Sequence, residues 1–307
     1  MDINVLAILL PAFCECLILV GIHAYLGLHV IRRQIIFVDL ALAQIAALGT
    51  LAAFLFGIEP HTWASYWFSL GLTTIGAAIF SVCRFREGKV PQEAVIGLIY
   101  AITAALAILL IDKAPHGAEQ IKDILTGSLL WVKWGAIATA LVVYTAVGAV
   151  HYIFRNQFWL ISENPEEARR LGMRVAWWDF LFFFTFGLVI TLSVDVAGVL
   201  IVFVFLVAPA IIAVTLTADV GKQLAIGWGL GFLVTLFGLF ASYRWDMPTG
   251  PAIIGCYALA MILLGAAIYN IRARDHTKAF ARTIAFPAAL SVTFMMIVAV
   301  GKWLARQ

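Results

Sequence analysis

Charge is what this 307-residue sequence has least of, with 12% Asp, Glu, Lys and Arg against about a quarter in an ordinary soluble domain. Since 64% of residues are hydrophobic and the mean hydropathy is +1.01, no length is left for a soluble domain of normal size, and a soluble fold is excluded. A phosphate-cradling loop is also missing. Gly88-Lys89, Gly221-Lys222 and Gly301-Lys302 are not followed by Ser or Thr and lack the upstream glycine, so the chain does not hydrolyse ATP by that device. Neither an HExxH helix nor a GxSxG elbow occurs, which leaves an enzyme reading with little support. The net charge of +3 is spread over short links without a basic run, so nucleic acid is not indicated as a partner. Cys14, Cys16, Cys83 and Cys256 lie within or beside apolar stretches, where a disulfide framework is not expected. Met1-Asp2-Ile3-Asn4 lacks the positive start of a signal peptide, so the first apolar span is expected to stay.

What is present is a series of continuous apolar runs, at about 5–30, 35–56, 62–83, 93–111, 133–154, 176–194, 197–217, 223–243, 251–269 and 284–304. Each approaches the roughly 20 residues that a helix needs to cross a hydrocarbon core. Continuous rather than alternating polarity argues against a barrel. The expected fold is all-α and polytopic, with about eight to ten transmembrane helices. Grouping alternate links places 14 Lys and Arg on one side, from Arg32 and Arg33 through Arg84, Arg155, Arg169, Arg170, Arg174 and Lys222 to Arg282, and six on the other. The richer side is expected to be cytoplasmic. Trp63, Trp67, Trp131, Trp134, Trp245 and Trp303 then fall near outer ends, with Trp177 and Trp178 near an inner one, as interface anchors do. Residues 1–270 read as one membrane domain, and 271–307 as a charged link followed by an extra helix that Pro287 interrupts.

Ionisable groups deep in such spans are costly and usually face a cavity. Glu15, about ten residues into the first span within Cys14-Glu15-Cys16, is the sharpest. With Cys16 and with His23 nearly on the face of Cys16, it could contact a borderline transition metal, or be a buried carboxyl held by a neighbouring helix. Asp39, just past Arg32-Arg33, suits a helix N-terminus and pairing with an arginine, and Gln44 could line a pathway or bond across helices. Asp195 and Asp246 are read into outer links, where they could attract cations or simply be solvated. Ser162-Glu163-Asn164-Pro165-Glu166-Glu167-Ala168-Arg169-Arg170-Leu171-Gly172 carries a complete helix signature: Asn164 as cap, Pro165 at the first position, acids in the first turn, Gly172 at the end. It predicts a short helix on the cytoplasmic face, for the interface or for docking.

Several segments in order resemble the permease subunits of metal-ion ABC importers of the zinc and manganese type. They are Arg32-Arg33 with Phe37-Val38-Asp39-Leu40-Ala41-Leu42-Ala43-Gln44-Ile45, Gln92-Glu93-Ala94-Val95-Ile96-Gly97, Leu125-Thr126-Gly127-Ser128-Leu129, Glu167-Ala168-Arg169-Arg170-Leu171-Gly172, Val196-Ala197-Gly198-Val199 with Val207-Ala208-Pro209-Ala210, and Asp246-Met247-Pro248-Thr249-Gly250-Pro251. The later segments also resemble, more loosely, cobalamin and siderophore permeases. The resemblance implies the type II ABC importer permease fold, two permease copies around a central path, cytoplasmic ATPase subunits, and an extracytoplasmic metal-binding protein. It implies no cofactor in this chain, only a divalent metal (zinc, manganese or iron) as transported substrate. It implies a coupling role for the link from Pro209 and Ala210 through Thr217 and Asp219 to Lys222, with Glu167, Arg169 and Arg170 beside it. Such permeases usually carry Asp and His four residues apart in the second helix. Here those positions are Leu40 and Gln44, so either a metal path through Glu15, Asp39 and Gln44 replaces that pair or the substrate is a different one. The competing class is a secondary, proton-coupled cation transporter using Glu15 and Asp39.

Overall fold

A computed structural model describes residues 3–60, 62–84, 91–111, 127, 129–273, 275–277, 280 and 283. Among them every long element is helical: α1 Ile3–Arg33, α2 Val38–Leu55, α3 Trp63–Val82, α4 Gln92–Ile111, α5 Trp134–Ile153, α6 Arg155–Glu163, α7 Pro165–Arg170, α8 Val175–Ala197, α9 Val199–Leu216, α10 Val220–Trp245 and α11 Thr249–Arg272. Nine of these are long and apolar enough to cross a membrane. They coincide with the first nine runs read from the sequence, and the tenth, 284–304, lies outside the described residues. Two compact units are present, Met1–Tyr257 and Ala258–Gln307. In the second, Asn270 Nδ2 donates to Ala266 O at 2.8 Å and Thr283 Oγ1 at 3.0 Å.

In the first unit α1 packs on α9 and α10, and α2 and α8 both pack on α3. Lipid tails are as apolar as leucine, so close backbone approach rather than hydrophobic burial holds such helices together, and small residues mark the crossings. Gly27 of α1 faces the backbone of Leu206 in α9, Gly49 of α2 faces Ser69 of α3, and Gly231 of α10 faces Val20 of α1. The hydroxyls of Thr73, Thr103, Thr185, Thr191 and Ser193 donate to carbonyls of the preceding turn, which satisfies them without water.

The basic ends converge as charge counting requires. The end of α1, Arg84 two residues past α3, α6, the start of α8 and the first turn of α10 touch through side chains. The opposite ends meet around Gly127. Its φ is +66°, and a Cβ there would lie 2.2 Å from the carbonyl carbon of Ala197 and 2.5 Å from the nitrogen of Gly198, so only glycine fits against the α8–α9 corner.

The short helix foreseen between the Asn164 cap and Gly172 is α7, and a separate helix, α6, precedes it. Asn164 caps α7 by accepting from the Glu167 N–H at 3.0 Å, Pro165 opens it, and Gly172, at φ +80°, follows it. Ser162 and Glu163 belong instead to α6, whose Phe158, Ile161 and Ser162 are buried. Their i, i+3, i+4 spacing is the amphipathic signal that marks this extra helix. Asn164→Ala is expected to cost about 1 kcal/mol of local stability, measurable as faster amide exchange over Glu167–Leu171.

The link foreseen from Pro209 to Lys222 is also shorter than the sequence suggests. Pro209 and Ala210 are buried inside α9, Lys222 lies in the first turn of α10, and only Thr217 to Asp219 separate the helices. The membrane tolerates proline within a helix where neighbours surround the backbone it frees. Asp219 accepts from the Lys222 N–H at 2.8 Å, so it caps α10.

Candidate functional site

Asp39 is the second residue of α2 and only 1% exposed, yet neither of its oxygens meets a hydrogen-bond donor among the described residues. The two arginines that the sequence set beside it are engaged elsewhere. Arg33 Nη1 donates to Asp179 Oδ1 at 2.6 Å and its Nε to Ser162 Oγ at 2.9 Å, with the guanidinium 4.0 Å from the Phe182 ring centre. Arg32 Nε pairs with Glu163 at 3.0 Å, and its Nη2 donates to Gln223 Oε1 at 3.1 Å. The expected Asp39–arginine pair is therefore not formed. The reason is reach: both arginines occupy the last turn of α1 and point toward α6 and α8, while a four-residue turn, 34–37, carries the chain away to α2.

Gln44 is half-buried. It stands five residues from Asp39, about 140° around the helix at 100° per residue, so the pair cannot close on one ion from α2 alone. Glu15 is fully buried and likewise without a donor among the described residues. It precedes Arg33 by eighteen residues of α1, about 27 Å at 1.5 Å per residue, so no single ion reaches both Glu15 and Asp39. Cys16 and His23 are buried too. His23 Nδ1 donates to Leu19 O at 2.8 Å, and its ring meets Tyr144 edge-on. Among the described residues no three His, Cys, Asp or Glu side chains cluster as a metal cage. The carboxylates thus form separate stations at different depths.

At the outer end Asp195 lies in the last turn of α8 rather than in a link, because α8 runs three residues past the apolar run. It lines a cavity of about 410 Å³ with Thr62, Tyr66 and Thr139. Asp246 ends α10 in the left-handed conformation, φ 50° and ψ 44°, and borders a second cavity of about 340 Å³ with Gly127 and Trp131.

On the basic side lies a network that the sequence reading missed. Asp179, 1% exposed, receives Arg33 and also Arg84 Nη1, at 3.0 and 3.1 Å. Ser162 Oγ donates to Phe158 O at 2.7 Å, so it accepts from both Arg33 Nε and His29 Nδ1, the latter at 2.9 Å. Thr185 Oγ1 donates to Leu181 O and accepts from His151 Nε2 at 2.8 Å, which leaves His151 Nδ1 to accept from Tyr25 Oη at 3.2 Å. Gln223 Nε2 donates to Thr217 O at 2.7 Å. Through Arg32 and Gln223 the α9–α10 link is joined to α1, and through Glu163 to α6 and its successor α7. The signal for Asp179 was there: it is a carboxylate inside an otherwise apolar run.

The arrangement places two buried carboxyls without donors among the described residues, Glu15 on α1 and Asp39 on α2, and a polar bracket on the basic face. The model of the family described as "ABC 3 transport family" matches residues 6–269. The chain is similar to the manganese transport system membrane protein MntC of Listeria monocytogenes, 24% identical over 76% of this chain and 81% of that one. It is also similar to the chelated iron transport system membrane protein YfeD of Yersinia pestis, 24% identical over 69% and 73%. Among solved structures, a chain of PsaBC from Streptococcus pneumoniae in complex with Fab shares the fold, with a TM-score of 0.70 at 20% identity over 84% of this chain and 90% of that one. With nine helices among the described residues long and apolar enough to cross a membrane, this multi-pass bacterial membrane protein belongs to the ABC 3 transport family.

Proposed function

We propose that the chain is the permease subunit of an ATP-binding cassette importer for a divalent transition metal, zinc, manganese or iron. In this reading residues 1–270 are the permease proper and 271–307 an appended link and helix. Two copies flank the path, separate cytoplasmic subunits hydrolyse ATP, and an extracytoplasmic protein delivers the ion. The observation that carries the metal is Asp39: a buried carboxyl without a donor among the described residues, whose neighbouring arginines in sequence pair elsewhere. A buried carboxyl with no donor is disfavoured in its charged form, and a passing cation supplies the partner that the ionised form lacks. Glu15 is a second station, Gln44 offers a neutral oxygen nearby, and Asp195 and Asp246 draw cations to the outer mouth.

Drive enters at the basic face. Glu167, Arg169 and Arg170 of α7, with Thr217, Asp219 and Lys222 of the α9–α10 link, present the surface against which ATPase subunits press. Pro209 and Ala210, deep in α9, carry the movement into the membrane. The bracket of Arg32, Glu163 and Gln223 makes both surfaces move with α1, as rigid transmission to bistable helices requires.

Proteoliposomes holding the chain and its ATPase subunit, with the metal-loaded binding protein outside, are expected to accumulate manganese, zinc or iron only with internal ATP, and the chain alone to accumulate none. Uptake by the chain alone under a proton gradient would instead make it a secondary transporter. Asp39→Asn is expected to lower ATP-driven uptake at least tenfold, equivalent to about 1.4 kcal/mol, while the complex still assembles; undiminished uptake removes Asp39 from the path.

A further inference from the structure

A groove of about 510 Å³ opens between α1, α5, α6 and α10, apart from every station named above. Its floor is made by absence. Gly21 of α1 and Gly148 of α5 line it, and a Cβ at either would meet nothing within 4 Å. Leu141 marks its deep end, and Tyr152, Arg155 and Trp159 its end on the basic face. From Leu141 to Tyr152 is about 16 Å along α5 at 1.5 Å per residue, or half of a hydrocarbon core about 30 Å thick. The groove therefore spans one leaflet. Three of its polar groups are committed: Tyr25 Oη to His151, Tyr144 Oη to Ser193, and Trp228 Nε1 to Gly21 O. Arg155 is the one cation that lines it, with its guanidinium 4.7 Å from the Tyr152 ring centre. It is exposed, gives Nη1 to Tyr152 O at 3.2 Å, and forms no ion pair among the described residues.

We propose that this groove binds one anionic phospholipid from the leaflet on the basic side, with an acyl chain along Gly21 and Gly148 and the phosphate on Arg155. The occupant follows from charge and depth together. An apolar slot one leaflet long ends in a single cation without an ion pair among the described residues, and Trp159 lies one turn from Arg155 at that end, where indoles anchor to headgroups. A bound lipid wedges α1, which carries the basic-face bracket, against α5 and α10. The site rests on membrane residence alone and does not depend on which ion is carried.

The full-length protein, delipidated in detergent and given equimolar phosphatidylglycerol and phosphatidylcholine, is expected to retain one phosphatidylglycerol in native mass spectrometry. Arg155→Ala is expected to lower that preference about fivefold, the effect of one basic side chain near an anionic surface. Gly148→Leu, growing into open space, is expected to abolish retention of both lipids at an unchanged melting temperature; if it misfolds, Gly21→Leu takes its place. Equal retention by the filled groove overturns the site, and equal preference without Arg155 overturns the phosphate assignment. Displacement of the lipid by millimolar inorganic phosphate would make Arg155 a free-anion site, and a change in copy number on filling the groove would make it an interface between copies. Either result also overturns the proposal.

Discussion

Asp179→Ala is expected to destabilise the protein by about 3–5 kcal/mol, the cost of removing one partner from a buried ion pair. The side chains of Arg33 and Asp179 are each 1% exposed, and that of Arg84 is 15% exposed. With Asp179 present the triad carries one excess positive charge; without it, two guanidinium groups face each other in the same pocket. Arg33 cannot leave, since Ser162 and the Phe182 ring hold it in place. Arg84→Ala is expected to cost much less, about 1 kcal/mol or under, because it leaves a one-to-one pair and removes a group with access to solvent. The double variant Arg33→Met with Asp179→Leu is expected to be more stable than Asp179→Ala, since apolar residues of similar size often replace a buried pair at little cost. Thermal unfolding of the purified protein in detergent measures all three. If Asp179→Ala and Arg84→Ala melt alike, the pair is not what secures this end of the bundle.

Most of the architecture was legible because the membrane enforces it. Continuous apolar runs became α1 to α5 and α8 to α11, and the asymmetry of lysine and arginine anticipated which helix ends meet. α7 was legible because capping chemistry is local: Asn164, Pro165 and Gly172 act on neighbours in sequence. The bracket was not, because its partners lie far apart in the chain. Arg33 is 146 residues from Asp179, and Arg84 is 95; no local rule pairs them. Reading Asp39 as the partner of the nearest arginines followed sequence distance, and the fold sends those side chains the other way. Glu15, Asp39 and Gln44 were legible as polar groups within spans, but their separation by depth and by face emerges only once α1 and α2 have ends.

The Pro209 region shows the same limit from another side. The link that the resemblance implied from Pro209 ran against the apolar run 197–217, which passes through that proline, and the helix does continue to Leu216. What permits this is the company around it: Gly227 of α10 would place a Cβ 3.7 Å from Pro209 Cβ and 3.5 Å from Ala24 Cβ, so α1, α9 and α10 meet through small residues at this level. Proline and alanine at 209 and 210 are thus packing partners of α1 as well as part of the path by which movement of the α9–α10 link enters the membrane.

Gly27→Val is expected to be the most disruptive single change at that meeting point. A Cβ on Gly27 would lie 2.1 Å from Leu206 O, 3.0 Å from Ala210 Cβ and 3.1 Å from Leu206 C. Overpacking costs about 1–3 kcal/mol where side chains can shift, and more where they cannot; here the obstacle is backbone inside a helix, so α1 and α9 must separate. Two comparisons fix the cause. At Gly231 the nearest atom to a new Cβ is Val20 Cγ1, at 2.3 Å, so Gly231→Ala is expected to be rescued by Val20→Ala, whereas no truncation at Leu206 rescues Gly27→Val. At Gly229 of α10 a Cβ meets nothing within 4 Å, and Gly229→Ala is expected to stabilise by up to about 1 kcal/mol through helix propensity. Melting temperatures of the four variants in one detergent test the ordering. A Gly27→Val protein that melts with the wild type would mean that α1 and α9 do not approach this closely, and the transmission route through Pro209 and Ala210 would lose its physical basis.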